Sequence, residues 1–191
     1  LDPIGEYERL LATQMVAGFV LTNTRHADPR PGWLREHDVP FVSFGRVWDD
    51  PSFTSWADVD GKAGIARGVR HLADQGYGPI GYLGWPHGSP VGDDRRSGWV
   101  SATKKLGMHD RALQDVIPQD MSDAGKTLRS LIDRVGVGGA IVCVSDTLAV
   151  AVHQALLDIG LIPGIDIGLM GFDDDDFAQA FGLTSLRQPL R

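Results

Sequence analysis

Short apolar runs alternate with helix-length segments along most of the chain. The segments between the runs carry apolar residues three or four positions apart, which is the spacing of a helix that buries one face. Over residues 62–172 the expected order is α-β-α-β-α-β-α-β, which indicates an α/β fold with parallel sheets and helices on their faces. The runs predicted to form strands are residues 16–21, 39–44, 80–83, 113–117, 140–144 and 165–171.

Capping residues predict where the helices begin. Asp28, which is followed by proline, and Asp60 each precede a helical pattern and have side chains that accept hydrogen bonds from a first helical turn. A further helix is expected to begin near Asp93, another at Ser145, and one more is expected over residues 122–134. These positions predict a helix between successive strands.

The pattern divides the chain unequally. The elements before residue 58 are too few to form a complete sheet alone. The elements over residues 62–172, by contrast, nearly complete one half of a doubly wound α/β fold. We therefore expect a partial N-terminal lobe over residues 1–58, a C-terminal lobe over residues 59–183, and a return segment to the N-terminal lobe over residues 184–191. Hinges are expected near residues 56–60 and 182–185, and the N-terminal lobe is expected to be incomplete at both ends of the chain.

Composition narrows the functional classes. The 191 residues are 42% hydrophobic and 23% charged, enough to bury a core. A net charge of −7 opposes sequence-independent attraction to nucleic-acid phosphates. Cys143 lies in an apolar run and is expected to be a buried small hydrophobe, which fits a reducing cytoplasm. No apolar stretch approaches the roughly 20 residues that cross a bilayer, so we expect a soluble, cytoplasmic chain with no membrane partner.

Ligands of open parallel sheets bind outside the carboxyl ends of the strands. In the loop after residues 80–83, Trp85 offers a stacking face, and Arg95 offers paired donors from the following helix. Asp173, at the end of a strand, could accept hydrogen bonds from ligand hydroxyls. The alternative to a ligand site is that the glycines and prolines of this loop only form turns and that Arg95 is a solvated surface residue. The loops selected by this rule are residues 84–96, 120–123, 145–147 and 172–176.

Catalytic, metal and cofactor sites find little support. Four consecutive aspartates, residues 173–176, rarely converge on one ion, and helix capping with solvated charge explains them better. The six histidines show no metal-ligand spacing. The glycine cluster at residues 136–139 precedes a strand, whereas a phosphate-binding loop must follow one. We predict no catalytic residue, no metal and no cofactor.

Six segments together carry a family resemblance. They are Asp58-Val59-Asp60-Gly61, Ile80-Gly81-Tyr82-Leu83-Gly84, Arg95-Arg96-Ser97-Gly98-Trp99, Ser145-Asp146-Thr147-Leu148-Ala149, Gly171-Phe172-Asp173-Asp174 and Leu183-Thr184-Ser185-Leu186-Arg187-Gln188-Pro189-Leu190. In order and spacing the chain resembles the effector domain of the lactose- and galactose-repressor (LacI/GalR) family. The resemblance implies a type I periplasmic-binding-protein-like fold, in which two Rossmann-like lobes hold a ligand in a cleft. It also implies a homodimer and an operator-binding helix-turn-helix domain that is absent from this chain.

The resemblance also implies roles for single residues. Arg95 matches the arginine that clamps effector hydroxyls or a carboxylate, and Asp173 matches the aspartate that accepts from sugar hydroxyls. Ser145 stands where many members have asparagine, and Met121 where an aromatic residue often stacks on the ligand. Three further residues are predicted to bind the ligand. Gln188 is a polar residue on the hinge side, and Ser89 and Trp85 lie in the ligand loop.

These features predict a sugar-sensing domain of a bacterial transcriptional regulator of the repressor type, which binds an effector without turnover. The effector is expected to be a mono- or small oligosaccharide, with a purine or an amino-acid-like compound as alternatives. A periplasmic or receptor-type sugar-binding protein of the same fold is the alternative function. An enzyme of doubly wound fold comes third, because the ligand-side loops lack a paired nucleophile and base.

Overall fold

The computed structural model describes residues 3–118, 121 and 124–189. Contacts divide the chain into two compact units, Leu1–Val59 and Asp60–Arg191. Both units contain a parallel sheet, and helices connect most of the successive strands, which confirms the α/β class expected from the apolar pattern. The predicted loop 120–123 lies outside the described residues except for Met121.

The first unit has a three-stranded parallel sheet of order β1-β2-β3. Asp28 caps α2 as predicted, because its side chain accepts from the Arg30 N–H at 3.0 Å and proline occupies the first helical turn. Helix α1 was not predicted from the apolar pattern. The elements of this unit are α1 (Pro3–Ala12), β1 (Phe19–Leu21), α2 (Pro29–Glu36), β2 (Phe41–Phe44) and β3 (Trp56–Ala57).

The second unit has a five-stranded parallel sheet of order β5-β4-β6-β7-β8. The alternation predicted over residues 62–172 is confirmed, and a short helix and an eighth strand follow it. The elements are α3 (Gly61–Asp74), β4 (Ile80–Gly84), α4 (Pro90–Lys105), a short 3-10 helix (Arg111–Leu113), β5 (Gln114–Val116), α5 (Ala124–Val135), β6 (Ala140–Cys143), α6 (Asp146–Asp158), β7 (Gly168–Asp173), α7 (Asp176–Ala180) and β8 (Thr184–Arg187).

Three element starts differ from the expectation by three residues. Strand β1, predicted from residue 16, begins only at Phe19. Helix α4 begins at Pro90, three residues before the predicted start, because Ser89 accepts from the Gly92 N–H at 3.4 Å and caps it there. Strand β7 begins only at Gly168. The apolar residue Ile165 lies instead in a turn with 72% of its surface exposed. The Asp166 side chain holds that turn by accepting from the Ile162 N–H at 2.7 Å.

The core of the second unit forms around β4 and β6, in which every residue is buried. Helices α3 and α4 approach each other closely at Gly98, where an added Cβ would lie 2.3 Å from the backbone oxygen of Lys62. Trp99 is 1% exposed, and its indole N–H donates to the Ile80 carbonyl at 3.0 Å. This packing fixes the middle of α4 against α3 and β4.

The end of the chain extends the sheet of the second unit. Four of the eight residues of the predicted return segment form β8, which pairs in parallel with β7 through Met170 with Thr184 and Asp173 with Arg187. The return of the chain to the N-terminal lobe beyond Arg187 stays a prediction.

Candidate functional site

The carboxyl ends of β4, β6 and β7 lie side by side in the sheet of the second unit. Each strand passes there into a loop or helix that carries a predicted ligand-binding residue. Trp85 follows β4, Ser145 follows β6, and Asp173 is the last residue of β7. Because parallel strands end at one edge, residues that lie far apart in sequence come together at that edge.

Arg95 crosses from α4 to this edge and is 6% exposed. Its Nη1 donates to the Val144 carbonyl at 2.6 Å, and its Nη2 donates to Asp173 Oδ1 at 3.4 Å. The guanidinium carbon lies 3.7 Å from the ring centre of Phe172, which is within cation–π range. Gly61 makes room for the side chain, because a Cβ there would lie 2.8 Å from Arg95 Cγ. Arg95 is therefore a buried, held group, in contrast to the solvated arginine of the alternative interpretation.

Asp173 stands on a strained backbone. Its φ is 117° and that of Asp174 is 56°, values that residues with a side chain rarely adopt and that recur at functional sites. Gln188 Nε2 donates to Asp173 Oδ1 at 2.5 Å. Burial raises the pKa of Asp173, while the charge of Arg95 and the hydrogen bond from Gln188 oppose that rise. The carboxylate is thus presented in one orientation by two donors.

A buried carboxylate, Asp146, supports this turn. It accepts from the Ser185 hydroxyl at 2.6 Å and from the Asp175 N–H at 3.0 Å, and Ser185 accepts from the Asp174 N–H at 3.0 Å. A Cβ at Gly171 would lie 2.0 Å from Asp146 Oδ1, so only glycine leaves room for the carboxylate. Burial raises the pKa of Asp146. The sequence suggested only a helix cap here, since nothing in the local pattern indicates a contact with residues 174–185.

A cavity of about 270 Å³, the smaller cavity, opens at this edge. Four predicted residues line it together with two that sequence reasoning did not single out, Thr147 and Leu148. Their position in the first turn of α6, directly after a strand, is the signal that could have found them. The lining residues are Trp85, Met121, Ser145, Thr147, Leu148 and Asp173.

The other predicted residues have different positions. Arg95 and Gln188 reach the smaller cavity through Asp173, to which both donate. Ser89 is the cap of α4 and is not among the described residues that line either cavity at Asp173, because its hydroxyl accepts from the Gly92 N–H. A ligand contact by Ser89 stays a prediction.

A second cavity of about 590 Å³, the larger cavity, shares Asp173 with the first. Arg187 lies on its wall and forms an ion pair with Asp174. The lining residues are Asp173, Asp174, Asp176, Gln179, Arg187, Gln188 and Pro189.

The aspartate run itself has structural partners. Asp175 caps α7 by accepting from the Ala178 N–H at 3.0 Å, and Asp174 pairs with Arg187. Across residues 3–118, 121 and 124–189, no three His, Cys, Asp or Glu side chains are arranged to hold a metal ion. Cys143 is buried, and burial raises the pKa of its thiol, which disfavours the reactive thiolate. None of the described helices is long and apolar enough to cross a membrane.

Known proteins resemble this chain in sequence and in fold. A family model described as a periplasmic binding protein-like domain matches residues 69–191. The HTH-type transcriptional regulator CelR of Thermobifida fusca is 29% identical over 96% of this chain and 56% of its own length. The chain spans about half the length of the curated relatives it matches.

Two solved structures superpose closely. A regulatory protein of the LacI family from Chloroflexus aggregans has a TM-score of 0.83 and 32% identity, with 97% of this chain and 68% of that chain covered. The complex of the transcriptional regulator CelR with cellobiose has a TM-score of 0.81 and 28% identity, with 96% of this chain and 58% of that chain covered. Together with the matched domain model and the network around Asp173, these likenesses establish that the chain belongs to the LacI/GalR family and has its periplasmic-binding-protein-like effector domain.

Proposed function

We propose that this chain senses a sugar through the smaller cavity and is the effector-binding part of a transcriptional regulator. One observation carries the proposal. Arg95 and Gln188 converge on the carboxylate of Asp173, whose strained backbone presents it beside Trp85 and Ser145. Such local backbone strain, held in place by the surrounding structure, clusters at functional sites.

The chemistry of these groups suits a hydroxyl-rich ring. A carboxylate accepts hydrogen bonds from vicinal hydroxyls, a serine hydroxyl can donate or accept, and an indole ring covers the apolar face of a sugar. The smaller cavity is lined by Trp85, Ser145 and Asp173, which supply these three functions. CelR, whose complex with cellobiose has the same fold, supports a carbohydrate as the ligand. Purines and amino-acid-like compounds remain the alternatives to be tested.

The same residues support binding without turnover. The one thiol of the chain is buried, and Asp173 is engaged by Arg95 and Gln188, neither of which is a base for a nucleophile. We therefore propose that the protein is not an enzyme. The relatives named as transcriptional regulators support this.

The remaining functions belong to the whole protein. We propose that a helix-turn-helix domain outside this chain binds operator DNA, that the protein is a homodimer, and that it acts in the cytoplasm. The name "HTH-type transcriptional regulator" of the relatives supports the DNA partner. The net charge of −7 supports a separate DNA-binding domain, because nucleic-acid affinity needs clustered positive charge.

Ligand-dependent thermal stabilisation tests the proposal. A panel of mono- and disaccharides, nucleobases and amino acids is screened, since a ligand that binds only the folded state raises stability by RT ln(1 + [L]/Kd). We expect stabilisation by at least one sugar, confirmed by calorimetric titration, and no loss of that sugar on prolonged incubation. If no sugar of the panel stabilises the protein, the sugar-sensing function is rejected. Steady consumption of the ligand would indicate an enzyme.

A further inference from the structure

The charges around Asp173 indicate what kind of ligand the two cavities accept. In the described part of the chain, Asp173 is the one ionisable residue that lines the smaller cavity. The larger cavity adds Asp174, Asp176 and Arg187. No lysine or histidine lines either cavity among the described residues, so neither offers an array of positive charge to an anion.

The positive charges of Arg95 and Arg187, which lie near the cavities, are each paired with a carboxylate of the protein. The side chain of Arg95 is 7% exposed, and its guanidinium contacts Asp173 and donates to the Val144 carbonyl. Arg187 is paired with Asp174. A recognition site for a carboxylate or phosphate ordinarily presents arginine donors to the ligand itself. Here Arg187 and one donor of Arg95 are directed to carboxylates of the protein, and a second donor of Arg95 is directed to a backbone carbonyl.

We infer that the site selects an uncharged sugar and discriminates against the acidic derivatives of that sugar. The inference rests on the proposed function and adds the charge of the ligand. A neutral ring leaves the pairing of Arg95 with Asp173 intact. A carboxylate or phosphate on the ring would instead lie near the Asp173 carboxylate, and juxtaposed like charges disfavour binding strongly when water is excluded. A cationic amine would compete with Arg95 for the same oxygen atoms.

Matched sugar series measure this selectivity directly. The probes are glucose, glucuronate and glucosamine, then galactose, galacturonate and galactosamine, and finally cellobiose with its aldonic acid, cellobionate. Each is titrated calorimetrically into the protein at one ionic strength. In any series whose neutral sugar binds, we expect the affinity for the neutral sugar to exceed that for its acidic counterpart by about tenfold or more. The amino sugar is also expected to bind more weakly than the neutral sugar.

One substitution should shift the selectivity. Asp173→Asn removes the negative charge with little change in shape and leaves the Arg95 guanidinium without its counter-charge beside the cavity. We expect weaker binding of the neutral sugar, and a ratio of neutral to acidic affinity that falls by about tenfold. The matched control is Asp133→Asn, which removes a carboxylate from an exposed arginine pair on α5, with the same change in net charge. It should leave the ratio unchanged.

The outcomes separate the two levels of the proposal. If an acidic or amino sugar binds as tightly as the neutral one, the inference about charge is overturned and sugar sensing stands. If no member of any series and no sugar of the thermal-stabilisation panel binds, sugar sensing itself is overturned and the inference falls with it. If the ratio of neutral to acidic sugar affinity is the same in Asp173→Asn as in Asp133→Asn, the pair of Arg95 and Asp173 does not set the selectivity. A change confined to Asp173→Asn would support the inference.

Discussion

At the scale of single residues, Arg95 is the side chain whose role is tested most directly. Replacing it by alanine removes charge-assisted hydrogen bonds worth about 1.5–3 kcal/mol each and leaves the partly buried Asp173 carboxylate without its cation. We expect sugar affinity to fall at least tenfold in Arg95→Ala, measured by calorimetric titration. Asp173→Ala should give a loss of similar size.

The control for this prediction is Arg129→Ala on α5. Arg129 also pairs with an aspartate, Asp133, but both side chains are more than half exposed, and such pairs contribute little. Affinity should therefore stay unchanged in this variant. Circular dichroism establishes that each variant is folded. Normal affinity in folded Arg95→Ala protein would remove Arg95 from the proposed site.

A second residue-scale prediction concerns Asp146. Burial raises the pKa of this carboxyl above its ordinary value of 3.8, against the hydrogen bonds from Ser185 and Asp175. Between pH 3.8 and the raised pKa, the folded protein binds more protons at this residue than the unfolded chain does. The stability that Asp146 contributes is therefore lost as pH rises through the raised pKa. Relative to Asp146→Asn, the wild-type free energy of unfolding should therefore decline as pH rises above 3.8.

Chemical denaturation of both proteins over a series of pH values measures this difference. Because the other titrating groups are shared, their effects cancel in the comparison, except for the repulsion of Asp146 by Asp173 and Asp175, which raises the pKa of Asp146 further. A difference that grows in favour of the wild type with rising pH would mean that the pKa of Asp146 is lowered in the folded state. The hydrogen bonds from Ser185 and Asp175 would then outweigh burial.

At the scale of elements, the contact between α3 and α4 positions Arg95. Gly98 packs against the backbone of Lys62, so Gly98→Ala must push the two helices apart. We expect a loss of about 1–3 kcal/mol in unfolding free energy, the usual cost of overpacking, together with weaker sugar binding as Arg95 shifts.

Gly125→Ala on α5 is the matched control. Its added methyl group meets nothing within 4 Å, so alanine should be neutral or stabilising by about 0.4–1 kcal/mol. Urea denaturation of the two variants gives the comparison. Equal stabilities would show that the two helices can separate at little cost.

At the scale of the whole molecule, the proposed function requires coupling between two ligands. If the sugar changes operator affinity, operator DNA must change sugar affinity by the same factor, typically 5–150-fold. Sugar titrations of the full-length protein with and without its operator DNA should differ by such a factor. Equal affinities would mean that the protein binds its sugar without using it as a switch.

The order of elements was readable from the sequence because helix and strand periodicities are local. The alternation over residues 62–172 and the caps at Asp28, Asp60 and Ser145 were all predicted and confirmed. The starts of β1, α4 and β7 were wrong by three residues. At α4 and β7, Ser89 with Pro90 and the turn around Asp166 outweighed apolar periodicity. The family resemblance was likewise carried by motifs that are local in sequence.

Tertiary structure alone decided how the polar residues of the site pair. The sequence indicated Arg95 and Asp173 as separate ligand contacts, and only the folded sheet brings them together and encloses the guanidinium between Val144 and Phe172. The support from Asp146 depends on a contact across 39 residues to Ser185, which no local pattern records. Parallel strands join distant segments at one edge, so the sequence determined which side chains reach that edge, and packing determined which of them meet there.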